Sequence, residues 1–206
     1  MKLDIPEILK SLAKNRPVFH SEADFQHSLA WQIREMHPGL HPRLEYPFER
    51  PTGKACDIVL LRNGKMVMAI ELKYFGENIS CEINGEIFNL KNRSAHNDNS
   101  YRSFEDVKRM EEFLKNNPSA IAVVIVLTNN HIYWSGPRDE TVNYAPFTLK
   151  DGRSVSGHID WVNKTLSKKD MPAIYLHGNY TLKWEEYSKV AGRFRYLHIP
   201  VQPPKN

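Results

Sequence analysis

The sequence predicts an α/β fold, a mixed β-sheet flanked by helices, and three observations carry that expectation. Two segments rich in strand-favouring residues, 55–61 (ACDIVLL) and 66–73 (MVMAIELK), follow one another across Arg62-Asn63-Gly64, a hairpin-type turn. A continuous apolar run at 120–128 (AIAVVIVLT) reads as a central strand covered on both faces. Helical periodicity precedes these strands and returns before the last of them, the pattern of a sheet with helices packed on it.

Composition sets the frame. A chain of 206 residues, 41% hydrophobic, 25% charged and 11% aromatic, has the apolar content for one well-packed domain and not that of a disordered chain. No stretch approaches the roughly 18 consecutive apolar residues of a membrane span. The opening MKLDIPEILKSLAKN lacks the apolar core of a secretory signal. With Cys56 and Cys81 alone, a disulfide scaffold or cysteine-rich zinc module is excluded. A cytoplasmic protein is expected. Lys plus Arg number 28 against 24 for Asp plus Glu, and the net charge of +4 suits a polyanionic partner without identifying one.

The elements follow in order. A short helix is expected at about 6–14, with Pro6 in its first turn. Ser21 caps a second helix, with Asp24 in the place of a capping-box acid and Phe25, Leu29, Ile33 and Met36 as its inward stripe. That helix ends near His37-Pro38-Gly39. Leu44–Phe48 is a short strand followed by a Pro51-Thr52-Gly53 turn. The polar stretch 74–103 holds one hairpin signal at Asn84-Gly85. Helical pattern returns at 104–116 and stops before Pro118. HIYW (131–134) is expected as the next strand, and 135–156 as a long loop. Short strands are expected around 173–177 and 194–201, with Trp161, Tyr175, Tyr180, Trp184 and Tyr187 packed as core.

The unusual residues lie on the paired strands. Asp57 interrupts one apolar strand, and Glu71 and Lys73 interrupt the end of the other. Side chains alternate, so Glu71 and Lys73 share a face with Val67 and Ala69, while Met66, Met68, Ile70 and Leu72 take the opposite one. Whether Asp57 joins them depends on the turn. A two-residue Asn63-Gly64 turn pairs Arg62 with Lys65 and turns Asp57 away. A three-residue loop pairs Leu61 with Lys65, sets Asp57 opposite Ala69 and puts all three charges on one face; this second register is the one expected.

Chance alone supplies about one Glu-x-Lys in a chain with 15 Glu and 16 Lys, so the tripeptide by itself carries nothing. Asp106-x-Lys108 shows the contrast, because residues two apart on a helix do not face each other. What distinguishes 71–73 is its strand, the acid on the preceding strand, and Glu22 on the inward side of the preceding helix. Gln26, one turn later, stands ready to support Glu22. The plain alternative for Glu22 is a first-turn acid favoured by the helix dipole.

Glu22 on a helix, Asp57 on a strand and Glu71-Leu72-Lys73 on the next strand resemble the PD-(D/E)xK nuclease superfamily, the restriction-endonuclease-like fold. GEIFNLK (85–91) and YRSFEDVKRMEEF (101–113) also resemble uncharacterised bacterial members. Cys56 stands where the signature has proline, and the insert 74–103 follows no general family motif. The resemblance covers about 20–134 as a nuclease-like core. It leaves 135–206 as a C-terminal elaboration of short strands within a single domain, 1–206.

The resemblance implies a metal-dependent endonuclease acting on nucleic acid, DNA rather than RNA. Its metal would be Mg²⁺ or Mn²⁺, held by Asp57, Glu71 and the Leu72 carbonyl, with Glu22 orienting a water or helping hold a second ion. Carboxylates, waters and phosphate oxygens suit magnesium on chemical grounds as well. Lys73 would assist the attacking water or stabilise charge developing on phosphorus. Tyr101, Arg102, Lys108 and Arg109 are candidate nucleic-acid contacts, with Lys108 and Arg109 alternatively part of a solvated helix face beside Glu111 and Glu112. Cutting both strands of a duplex would favour a homodimer. Two other readings stand beside the nuclease: a catalytically silent nucleic-acid-binding module, and a structural or partner-binding protein whose Asp57, Glu71 and Lys73 form a salt-bridged face. No nucleophile elbow, P-loop or dinucleotide fingerprint is present, and the nine histidines read as surface or capping residues.

Overall fold

The computed structural model describes residues 3–47, 55–91, 95–163, 171–190 and 192–204. Its chain begins with two helices, α1 (Ile5–Asn15) and α2 (Glu22–Met36). Each starts where a polar side chain takes an orphan amide: Asp4 accepts from the Glu7 N–H at 3.1 Å, and Ser21 Oγ from the Asp24 N–H at 3.1 Å. The Asp24 carboxylate closes no box on the cap residue. It accepts instead from the His20 N–H at 2.9 Å and pairs with Arg16 at 2.7 Å. His37 caps the far end of α2, and His41 lies beyond it on a strand, so the two imidazoles do not share a helical face.

Three strands follow, β1 (His41–Pro47), β2 (Ala55–Arg62) and β3 (Lys65–Phe75), then a small hairpin, β4 (Ile79–Ile83) and β5 (Glu86–Leu90). The expected Pro51-Thr52-Gly53 turn and Phe48 lie outside the described residues. After α3 (His96–Asn116) come β6 (Ile121–Thr128), a single turn α4 (Ile132–Ser135), and β7 (Ser154–Ile159), β8 (Ile174–Thr181), β9 (Trp184–Ser188) and β10 (Phe194–Val201). The strand expected at 131–134 is not formed. The Asn130 side chain instead accepts from the Ile132 N–H at 3.0 Å and starts a helical turn that buries Tyr133.

The main sheet has the order β1-β2-β3-β6-β10-β9, with β3 and β6 parallel and its other pairs antiparallel. The result is a mixed α/β fold. Strand β6 lies inside the sheet, and its alternating residues serve both faces. Val123, Ile125 and Leu127 pack with α1 and α2, whereas Ala122, Val124 and Val126 pack with α3 and the C-terminal strands. Strands β9 and β10, from the stretch expected as an elaboration, complete this sheet; 20–134 alone would leave β6 with an open edge. Among the aromatics expected as core, Tyr175 is 52% exposed because β8 alternates strictly and Tyr175 falls on its outer face.

The β2–β3 register corrects the expectation in one respect and restores it in another. The turn has two residues, Asn63 and Gly64 at φ 51° and 77°, and pairs Arg62 with Lys65. Both conformations are left-handed, which Asn and Gly tolerate and which matches strand twist. Leu61 then opposes Met66, but Leu60 opposes Met68, so Val67 is an extra residue in a bulge. Met66 therefore packs on the face of α3 while Met68 packs against α1 and α2. Beyond the bulge Val59 opposes Ala69, which puts Asp57 on the face of Glu71 and Lys73.

On α3, Glu111 is no part of a solvated face. It is 1% exposed and accepts from the His177 N–H at 3.0 Å, the Gly178 N–H at 2.7 Å and the Tyr180 hydroxyl at 2.6 Å. These bonds dock β8 onto the helix. A side chain at Gly178 would overlap the Tyr180 hydroxyl, which Glu111 holds in place. Glu111→Ala strands two buried amides and a hydroxyl and is expected to lower unfolding free energy by about 3 kcal/mol or more. Urea denaturation checks this; a loss under about 1 kcal/mol would show that β8 docks without it.

Candidate functional site

Strands β2 and β3 part company at Asp57. Their pairing runs from Arg62 opposite Lys65 to Ile58 opposite Ile70, and β3 continues to Phe75. The next amides on that edge of β3, at Leu72 and Tyr74, lie beyond this pairing, and carboxylates take them. Asp57 Oδ2 accepts from the Leu72 N–H at 2.6 Å, and Glu22 Oε2 from the Tyr74 N–H at 2.8 Å. Amides that β2 leaves unpaired need partners, so two acids from different elements are fixed side by side along one strand end, Asp57 in a half-buried bond and Glu22 in an exposed one. Gln26, expected to support Glu22, supports Asp57 instead: its Nε2 donates to the Asp57 carbonyl at 2.7 Å and to Glu45 at 2.8 Å.

On the same face α3 supplies two residues absent from the expected catalytic set. Arg109 Nη2 pairs with Glu71 Oε2 and lies 3.0 Å from Asp106 Oδ1. Lys73 Nζ lies 2.9 Å from Asp106 Oδ2 and 3.0 Å from the Leu72 carbonyl, the oxygen expected as a metal ligand. Glu71 is 1% exposed, and its Oε1 has no hydrogen-bond partner. The signal for Asp106 is present in the sequence: it stands four residues before Met110 and seven before Phe113, on the flank of the inward stripe.

Burial dominates the electrostatics. It raises the Glu22 carboxyl above its ordinary range despite Lys73 and the Tyr74 amide, and raises Asp57 despite the Leu72 amide and Lys73. Glu71 is pushed up by burial, with Asp106 and Asp57 adding to it and Arg109 and Lys73 opposing. Burial pulls the Lys73 ammonium down, but Asp106, Glu22 and Asp57 outweigh it and hold Lys73 above the ordinary lysine value. Lys73 is a fixed cation at neutral pH. The Cys56 thiol, near Glu71, is driven up by burial and stays protonated, so the cluster presents oxygen acceptors and no thiolate.

The candidate nucleic-acid contacts divide. Tyr101 is 1% exposed, its ring 5.0 Å from that of Phe147 and its hydroxyl bonded to the Pro172 carbonyl; it is core and has no face to offer a base. Arg102 is exposed and paired with Glu105 at 2.7 Å, and Lys108 is exposed. Arg109 points inward to the acids. A groove of about 460 Å³ opens beside Glu22, its lining including Ser21, Glu22, Tyr74, Asn89 and Lys91.

Among the described residues, no group of three or more His, Cys, Asp or Glu side chains is drawn together to hold a metal ion, and no helix is long and apolar enough to cross a membrane. No protein-family model, curated protein or solved structure matches this chain.

Proposed function

We propose that this protein is a metal-dependent nuclease of the PD-(D/E)xK, restriction-endonuclease-like kind that hydrolyses phosphodiester bonds, with DNA preferred on the strength of the sequence resemblance. The observation that carries the reading is a charge imbalance. Glu22, Asp57, Glu71 and Asp106 feel one another's charge around Lys73 and Arg109, although no three of them converge on one point among the described residues. Fully ionised, the cluster lacks two positive charges, and Glu71 Oε1 is buried without a partner. Buried charge is costly unless paired or bound to metal.

The donor set suits a hard divalent cation, because its acceptors are carboxylate oxygens. Asp57 and Glu71 would hold it, with Glu22 or the Leu72 carbonyl completing the set once Lys73 turns from that carbonyl. Such an ion, when bound, supplies a Lewis acid for the scissile phosphate and an activated water. Lys73 stays protonated and faces the same space, so its work is to stabilise charge gathering on the phosphate rather than to remove a proton. A groove lined in part by Glu22 and Lys91 opens on the Glu22 side of the site.

Supercoiled plasmid and single-stranded DNA incubated with Mg²⁺ or Mn²⁺ test this. Wild type is expected to cut, EDTA to stop it, and Asp57→Ala to lose at least about 10³-fold in rate. Equal cleavage by Asp57→Ala would overturn the reading. DNA binding without cleavage would instead mark a silent module.

A second reading rests on the Glu71–Arg109 and Lys73–Asp106 pairs, which on their own could be a structural ion-paired face. It predicts neither cleavage nor any effect of Mg²⁺ on stability.

A further inference from the structure

Arg109 occupies the ground that a cation on Glu71 would need. Its Nη2 is shared between Glu71 Oε2 and Asp106 Oδ1 at 3.0 Å, and its Nη1 donates to the Ala55 carbonyl at 3.3 Å. The guanidinium side chain is 16% exposed and Glu71 1%, so the pair sits where attraction is strong and water cannot easily replace either partner. Two of its three acceptors, Asp106 and Ala55, remain if Glu71 is withdrawn. Asp106 in turn holds Lys73, which keeps that ammonium on the same spot.

We infer that Arg109 is an internal counter-ion that competes with the divalent cation for Glu71 and so sets the affinity of the site. The inference rests on the cation-binding reading above. The guanidinium compensates Glu71 only in part in the metal-free protein and leaves Oε1 unpaired. A cation reaching Glu71 must displace one Arg109 contact, and Arg109 retreats onto Asp106 without losing its place in the fold. Arg109 thus weakens cation binding and spares the metal-free chain a bare buried carboxylate.

Calorimetric titration with MnCl₂ alone, on wild type and on Arg109→Met, tests this. With the titration run at a pH alkaline enough to ionise Glu71, Arg109→Met is expected to bind Mn²⁺ about tenfold more tightly, because the competing guanidinium is gone. Its melting temperature should also respond more to Mn²⁺ against EDTA than wild type does. Should Arg109→Met not fold, Arg109→Lys carries the test. A compact ammonium cannot fork between Glu71 and Asp106, so binding a few-fold tighter than wild type is expected. Unchanged or weaker Mn²⁺ binding in the folded variant, with wild type binding normally, overturns this inference and leaves the nuclease reading standing. No Mn²⁺ binding by wild type or by either variant overturns both.

Discussion

If the protein is the nuclease proposed, replacing Lys73 with methionine is expected to slow DNA cleavage by about 10³-fold while leaving the protein folded. The fold survives because Asp106, which loses the ammonium 2.9 Å away, keeps Arg109 at 3.0 Å. The rate falls because Lys73 reaches the Leu72 carbonyl and lies in the field of Glu22 and Asp57, where a phosphate would meet the acids. Asp106 and Glu22 hold its pKa up, so the charged form persists through neutral and mildly alkaline pH. Deprotonation of Lys73 therefore contributes no rise in rate with pH. Single-turnover cleavage measured from about pH 6 to pH 9 checks this. A rise near the top of that range, lost in Lys73→Arg, would identify Lys73 as a base and overturn the assignment.

Glu71→Gln is expected to stabilise the metal-free protein at alkaline pH. The folded Glu71 carboxyl is raised from the ordinary 4.5, to about 9, with burial as the main cause. A carboxyl with a raised folded pKa is at its most stabilising when protonated, so its contribution is complete below the ordinary value and is lost as pH rises through the folded one. Glu22 and Asp57 are raised as well and act in the same direction. In EDTA, stability should fall on the order of 1 kcal/mol per pH unit across that window. Glu71→Gln removes the largest share of this slope. Mg²⁺ should restore wild type at about pH 8, where Glu71 must ionise to bind it, and do little for the variant. Thermal melts at several pH values decide the matter. A flat wild-type profile, or a Glu71→Gln protein less stable than wild type at alkaline pH, would show that Arg109 fully compensates the carboxylate.

Both expectations concern residues whose placement is legible in the sequence alone. Strand alternation puts Glu71 and Lys73 on one face, because period two is a local property of extended backbone. Glu22, expected on the inward stripe of α2, is instead exposed in the first turn and reaches the Tyr74 amide from there. Asn84-Gly85 announces its hairpin through tolerance of positive φ, and Asn63-Gly64 marks the place of the other, although the loop expected there has three residues. Ser21 and Pro118 bound their helices as expected, although α3 begins eight residues earlier than the pattern at 104 suggests.

The bulge is not legible in that way. Asp57 joins Glu71 through an extra Val67 rather than through the longer turn expected. Nothing in the local sequence distinguishes a slip at the turn from one further along the strands; packing of Met66 on one face and Met68 on the other selects it. Asp106 and Arg109 are noticed in the sequence only as a contrasting helix acid and a candidate nucleic-acid contact. Their pairing with Lys73 and Glu71 depends on how α3 packs against β3, which no local rule describes.

By itself, then, the sequence determined the α/β character of this protein, the positions of its two hairpins and the shared face of Glu71 and Lys73, since turn chemistry and side-chain periodicity act between near neighbours. Only the tertiary structure decided that β10 closes β6, that Val67 is the residue the register skips, and that Arg109 lies on Glu71. Those outcomes depend on contacts between residues far apart in the chain, and their energies exist only once the layers have packed.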